Sequence, residues 1–291
     1  MTIFLTALSL IAFAANSVLC RLALSDPIGI TSSSIDAASF TILRLLAGAI
    51  MLALMITLKH PSKDTSHANH AKGSWTASLM LFIYAATFSY AYISLDTATG
   101  ALVLFGSVQI SMLVISIFRG NRLAWLEWLG MAASFAGFIY LVLPNVDNTI
   151  APSITGIILM AGSGIAWGVY TLLGRNSKDP LCDTAYNFMR TLPLIALLTA
   201  FTFSNSHISL QGAILAILSG ALASGLGYSI WYAALKGLSA TQSAIVQLAV
   251  PVLAAIGGVV FVAESVSLQL IAASSMVLGG ILLVVLGKNK T

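Results

Sequence analysis

Apolar runs close to 20 residues long, each cut off by a polar connection, follow one another along this 291-residue chain, at roughly 4–23, 37–58, 74–94, 97–118, 124–143, 153–174, 183–203, 210–231, 239–262 and 265–287. A helix needs about 20 apolar residues to cross ~30 Å of hydrocarbon. The pattern therefore predicts ten transmembrane helices and an all-α integral membrane protein. The longest polar connection, about 59–73, is too short to build a soluble core. The hydrophobic N-terminus lacks the charged n-region of a signal peptide, carries Arg21 near its far end and is followed by further runs, so it reads as the first helix.

Charge settles the orientation that the apolar pattern predicts. When the connections are numbered alternately, Lys59, Lys63, Lys72, Arg119, Arg122, Arg175, Lys178, Lys236, Lys288 and Lys290 all fall on one side. The other side holds Asp26, Asp36, Asp96, Asp147 and Glu264, with no Lys or Arg in its connections. Short Lys/Arg-rich loops stay in the cytoplasm. The expectation is a multi-pass protein of the cell (inner or plasma) membrane with both termini and the 59–73 connection cytoplasmic. Composition agrees: 58% of residues are hydrophobic, 8% are charged, and mean hydropathy is +0.98. The pI near 9.1 follows from the loop bias rather than from a basic, aromatic-interleaved groove, so no nucleic-acid partner is expected.

The chain also repeats itself weakly over five runs. Ala12, Leu19 and Arg21 match Ala166, Leu173 and Arg175, and Phe40 and Arg44 match Tyr186 and Arg190. Phe88, Ser89 and Tyr92 match Tyr228, Ser229 and Tyr232, and Gly137, Ile139, Leu141 and Val142 match Gly279, Ile281, Leu283 and Val284. Five is odd, so the second repeat runs through the membrane upside down. Inverted repeats with a midplane site between them are a signature of secondary transporters. The domain reading is 1–147 for the first repeat and 148–291 for the second.

The segments FAANSVLCR (Phe13–Arg21) against WGVYTLLGR (Trp167–Arg175), FTILR (Phe40–Arg44) against YNFMR (Tyr186–Arg190), and the stretch from Tyr232 through Pro251 and Glu264 to Gly279 carry a resemblance. The chain resembles a ten-helix, EamA-type member of the drug/metabolite transporter superfamily over essentially its whole length. The resemblance implies export of a small solute and leaves the solute open. Two departures stand out: Ser111 occupies the first-half position of Pro251, and Arg122 that of Glu264. The first half then lacks any helix distortion that Pro251 provides.

Polar groups inside a bilayer are costly and are functional candidates by default. Arg44 lies eight residues past Asp36, about 12 Å along a helix, and Arg190 seven past Asp183, about 10 Å from the opposite face. One reading has the two guanidiniums gripping a carboxylate or phosphate from opposite ends. The other, preferred on sequence alone, has each arginine snorkelling or tying helix to helix through carbonyls. Ser9, Phe13, Asn16 and Cys20 share one helix face, matched by Ser163, Trp167, Tyr170 and Gly174. Tyr84, Phe88 and Tyr92 share another, matched by Ser224, Tyr228 and Tyr232. Mixed aromatic, hydroxyl and amide faces suit a small-molecule pocket, whereas Trp75, Trp125 and Trp128 read as interfacial belt residues. The substrate-binding candidates are Asn16, Arg44, Tyr84, Phe88, Gln109, Trp167, Tyr170, Asn187, Arg190, Tyr228 and Gln247. Gly164-x-x-x-Gly168, Ala133-x-x-x-Gly137 and Ala223-x-x-x-Gly227 are expected helix-packing surfaces, with Gly225 and Gly227 an alternative hinge.

What the spans lack narrows the mechanism further. His60, His67, His70 and His207 all lie in connections, and no Asp or Glu is mid-span, so a midplane proton relay is not expected. Coupling through end-of-helix acids such as Asp36, Asp96, Asp183 or Glu264 is the rival. Cys20 and Cys182 fall near opposite faces and make neither a disulfide nor a metal pair. No catalytic constellation, cofactor motif or G-x-x-x-x-G-K-[ST] loop is present, so an enzyme is not expected and ATP is not the energy source. The expectation is a secondary transporter that exports small metabolites such as amino acids by alternating access, with a small-molecule substrate and the lipid bilayer as partners, no cofactor, and a homodimer compatible. The alternatives are an importer, and more remotely a membrane-embedded enzyme or a receptor subunit.

Overall fold

The computed structural model describes residues 2–25, 35–58, 73–118, 120, 124–143, 152–174, 177–235, 237–238 and 246–287. The first half supplies α1 (Thr2–Leu24), α2 (Ala37–Leu58), α3 (Trp75–Ala91), α4 (Thr97–Phe118) and α5 (Trp125–Val142). The second supplies α6 (Ile154–Gly174), α7 (Pro180–Arg190), α8 (Leu192–Thr202), α9 (Leu210–Leu218), a π-helical segment (Ser219–Leu226), α10 (Gly227–Leu235), α11 (Ala249–Val262) and α12 (Leu268–Gly287). The predicted domain boundary at 147/148 and nearly all the loop lysines and arginines lie outside the described residues.

Among the described residues, six rods are long and apolar enough to span alone: α1, α2, Thr97–Ile115 of α4, α6, the continuous α9–π–α10 rod and α12. The other runs are shorter or broken, for local reasons. The run at 183–203 divides at Thr191 because Pro193, two residues on, has no N–H and its ring crowds the carbonyl four residues back. α11 begins after an interruption at Leu248, which places Pro251 in its first turn, where a missing N–H costs nothing. Large apolar side chains such as Leu54, Ile139, Phe201 and Phe261 are exposed on the outside of the bundle, as hydrocarbon solvent requires.

The packing pairs show the two-fold relation. α3 packs on α6, and its counterpart rod α9–π–α10 packs on α1. α4 packs on α6, and α11 packs on α1; α2 lies on the π segment, and α3 lies on α7. The equivalent helices α4 and α11 meet, as do α5 and α12. Exchanging the halves maps this set onto itself. Close approach is needed where the halves cross. A Cβ on Gly220 would lie 2.1 Å from the Arg44 carbonyl oxygen, and one on Gly164 would lie 2.5 Å from that of Leu104. The Gly164/Gly168 stripe thus seats α6 on α4, as small-residue spacing predicts.

Candidate functional site

The site grows from side chains near the middle of their helices. Asn16 on α1 donates to the Tyr84 hydroxyl at 3.3 Å and accepts from Ser219 Oγ at 2.5 Å. An amide in the bilayer interior has to be partnered, and here the partners come from α3 and from the opposite half. Arg44 on α2 is 1% exposed. Its Nη2 donates to the Tyr84 hydroxyl at 2.9 Å and its Nε to Ser224 Oγ at 3.4 Å. The guanidinium carbon lies 4.8 Å from the Phe88 ring centre and 5.1 Å from that of Tyr84. The side chain does not snorkel; it sits inside the bundle on hydroxyls and ring faces.

The π segment is what brings both serines to these partners. At about 100° per residue, positions five apart on an α-helix point about 140° away from each other. A π turn closes on i+5 instead, and Ser219 and Ser224 therefore reach Asn16 and Arg44 from one element. The glycines and small residues of Ser219–Leu226 allow it to lie against α2.

Aromatic rings complete the cluster. Tyr84 packs on Trp167 with ring centres 4.8 Å apart, and Trp167 packs on Tyr228 at 4.9 Å. Tyr170 stacks on Trp167 at 5.3 Å, and Phe13 meets Tyr228 edge-on at 5.9 Å. Ser163 fixes α6 to α3 by donating to the Tyr84 carbonyl at 3.0 Å. The rings and Asn16 and Ser17 enclose a cavity of about 10 Å³, room for one water at most. Nothing larger than a water fits there in this arrangement of the helices.

Both ends of the bundle are tied across elements. At one end, Arg21 Nε donates to Glu264 at 3.1 Å, its Nη1 to the Tyr92 carbonyl at 2.9 Å, and its Nη2 lies 3.5 Å from Asp96. Glu264 also accepts from the Thr97 N–H at 2.9 Å and so caps α4 from the opposite half. Its approach follows a left-handed residue, Ala263 (φ 58°), with the Glu264 N–H bonded to the Gly258 carbonyl at 3.1 Å. At the same end, Asp36 caps α2 through the Ser39 N–H at 2.9 Å and accepts from the His207 N–H at 2.8 Å. Partial burial pushes the Asp36 carboxyl up, but the hydrogen bonds from Ser39, His207 and Ala38 outweigh it and hold it below the ordinary carboxylate range. At the other end, Asp183 accepts from the Gly73 N–H at 2.9 Å and from Ser177, and Asn187 accepts from the Ser74 N–H at 2.9 Å.

The structure thus brings Asn16, Arg44, Tyr84, Phe88, Trp167, Tyr170 and Tyr228 into one cluster. Arg190 is elsewhere, 5.9 Å from the Trp75 ring centre, and Asn187 belongs to the Ser74 closure. Gln109 and Gln247 are half-buried and do not line the cavity. Ser17 and Ser219 went unrecognised in the sequence. Ser17 is adjacent to Asn16 and off its helical face, and Ser219 needed the π turn.

The second half, residues 154–286, matches the EamA-like transporter family. A Pseudomonas aeruginosa protein, "Uncharacterized protein PA1977", is 47% identical over 97% of this chain and 94% of its own length. An "uncharacterized transporter" of Archaeoglobus fulgidus is 30% identical over 67% of this chain and 69% of its own. This chain belongs to the EamA-like transporter family. The Bacillus subtilis "uncharacterized transporter YoaV" is similar at 21% identity over 83% of the chain. A solved crystal structure covers 98% of both chains with a TM-score of 0.63 at 20% identity, a likeness of fold. As an EamA-like protein the chain is a multi-pass membrane transporter and not an enzyme.

Proposed function

We propose that this EamA-like transporter exports small metabolites such as amino acids by alternating access, with no cofactor. The observation that carries the reading is the buried cluster at the interface of the inverted halves. Asn16, Arg44 and Tyr84 of the first half meet Trp167, Ser219, Ser224 and Tyr228 of the second. A polar and aromatic site between inverted repeats, tied shut at both ends, is what rocking of one repeat against the other requires. The outward direction rests on the resemblance to EamA-type exporters. The orientation rests on the loop charges, which put the Asp183 end on the cytoplasmic side of the inner membrane.

Purified protein in liposomes loaded with unlabelled amino acids should accumulate the matching labelled amino acid by counterflow, with or without a pH difference. Protein-free liposomes should not, and the Trp167→Ala variant should do so roughly ten-fold less or lower still. Loss of counterflow for all amino acids and related small metabolites in folded wild-type protein would refute the reading.

A further inference from the structure

Arg44 poses a problem that its neighbours do not solve. The guanidinium is buried, all its hydrogen-bond partners are neutral hydroxyls, and its Nη1 has no hydrogen-bond partner. Both salt bridges among the described residues belong to Arg21. The described acids with assigned partners are engaged at helix ends: Asp36 with His207, Glu127 at the start of α5, Asp183 with Gly73, and Glu264 with Arg21. Asp26, Asp64 and Asp147 fall in connections between spans. A cation held in the interior without a counter-ion is costly, and ring faces offset only part of that cost.

Two more buried polar atoms, the Tyr228 hydroxyl and Ser17 Oγ, lack hydrogen-bond partners, and both residues line the cavity whose wall includes Tyr84 and Phe88, the residues against which the Arg44 guanidinium rests. A carboxylate that enters beside Tyr84 as the helices part answers the guanidinium and can accept from the open hydroxyls. Its two oxygens match the planar fork of an arginine, and its remaining lone pairs accept from hydroxyls. Phe13, Phe88 and Trp167 offer the rest of the molecule an apolar wall.

Resting on the transport reading above, we propose that Arg44 anchors a substrate carboxylate and that the site takes solutes bearing one carboxylate on an apolar body. Zwitterionic neutral amino acids belong to this class. Their ammonium group meets the faces of Trp167 and Tyr228, which attract a cation without needing an acid. Dicarboxylates do not belong, because among the described residues no second Lys or Arg stands in the cluster: Arg190 lies at Trp75.

The test uses leucine, methionine and phenylalanine, each beside its carboxamide and its decarboxylated amine, and glutamate as the dicarboxylate. Saturable change in tryptophan fluorescence and thermal stabilisation of the purified protein report binding; counterflow in liposomes reports transport. At least one of the three acids should bind roughly ten-fold or more tightly than its amide and amine, the scale expected for a charged hydrogen-bonded partner. Arg44→Gln should erase that preference and Arg44→Lys should keep part of it. Should Arg44→Gln fail to fold, Tyr228→Phe should weaken the acid while leaving amide and amine unaffected. Equal binding of acid, amide and amine, binding of none of the three acids, or tighter binding of glutamate would overturn the proposal. Counterflow of amines in place of acids would leave the transport reading standing and remove this one; binding of acids without counterflow would do the reverse.

Discussion

At the residue scale, function concentrates where a polar atom would otherwise be stranded. Asn16 is held by Tyr84 and Ser219, so Asn16→Ala removes a link between the halves and leaves both partners short of one hydrogen bond. Counterflow by Asn16→Ala and Trp167→Ala should fall roughly ten-fold or more, as loss of a hydrogen bond or a ring contact at the site implies. The yield of monodisperse protein is the control. Reduced yield with unchanged transport per molecule would make these residues packing elements alone. Gly220 is a different kind of residue, important for what it lacks. Its added Cβ would strike the Arg44 backbone oxygen at 2.1 Å, where nothing flexible can yield. Gly220→Ala should therefore lower thermal stability by about 1–3 kcal/mol, whereas Gly162→Ala, with open space around its added Cβ, should not.

At the scale of elements, the helix ends act as fasteners between the halves. Asp36 ties the start of α2 to the loop before α9, and its carboxyl titrates below the ordinary range. A depressed pKa means that the folded form releases this proton more readily than the unfolded chain does. Its contribution is thus fully present above the unfolded value of about 3.9 and is lost as pH falls through the lower folded value. Thermal unfolding of wild type and Asp36→Asn should differ by a constant amount above about pH 4 and converge below it. A gap that widened on acidification would contradict the assignment. Glu264 fastens α4 and Arg21 together, and both side chains are mostly buried. Glu264→Gln should cost about 1–3 kcal/mol, a charged hydrogen bond's range, and should bias the protein towards opening at the Arg21 end. Cysteine accessibility at Asn16 from that side reads the bias.

On the scale of the whole molecule, the loop charges predict which way the bundle sits. Single cysteines at Ser62 and Asn148, in protein freed of Cys20 and Cys182, distinguish the orientations in intact cells. An impermeant thiol reagent should label position 148 and spare position 62. The helical runs and the aromatic faces were legible because length and i, i+3/i+4 spacing survive in an apolar sequence. The break at Thr191 was missed, because the run at 183–203 was read by its length and apolar content while Pro193 in its middle carried the signal. The burial of Arg44 was not, since a side chain that long reaches water or the interior from the same backbone position. Nor was the separation of Arg190 from Arg44, because an internal match equates positions while the two halves surround them differently. Ser219 was hidden by geometry: five residues before Ser224, it belongs to the opposite side of any ordinary helix.

The π segment also bears on how relatives are read against one another. A helix that carries one surplus residue turns everything beyond it by about 100°. Pairing this chain position by position with a relative whose helix lacks the surplus would set Tyr228 and Trp231 opposite residues that face another direction. A single-residue gap within 219–226 restores the correspondence, and specificity compared without it would be credited to the wrong columns.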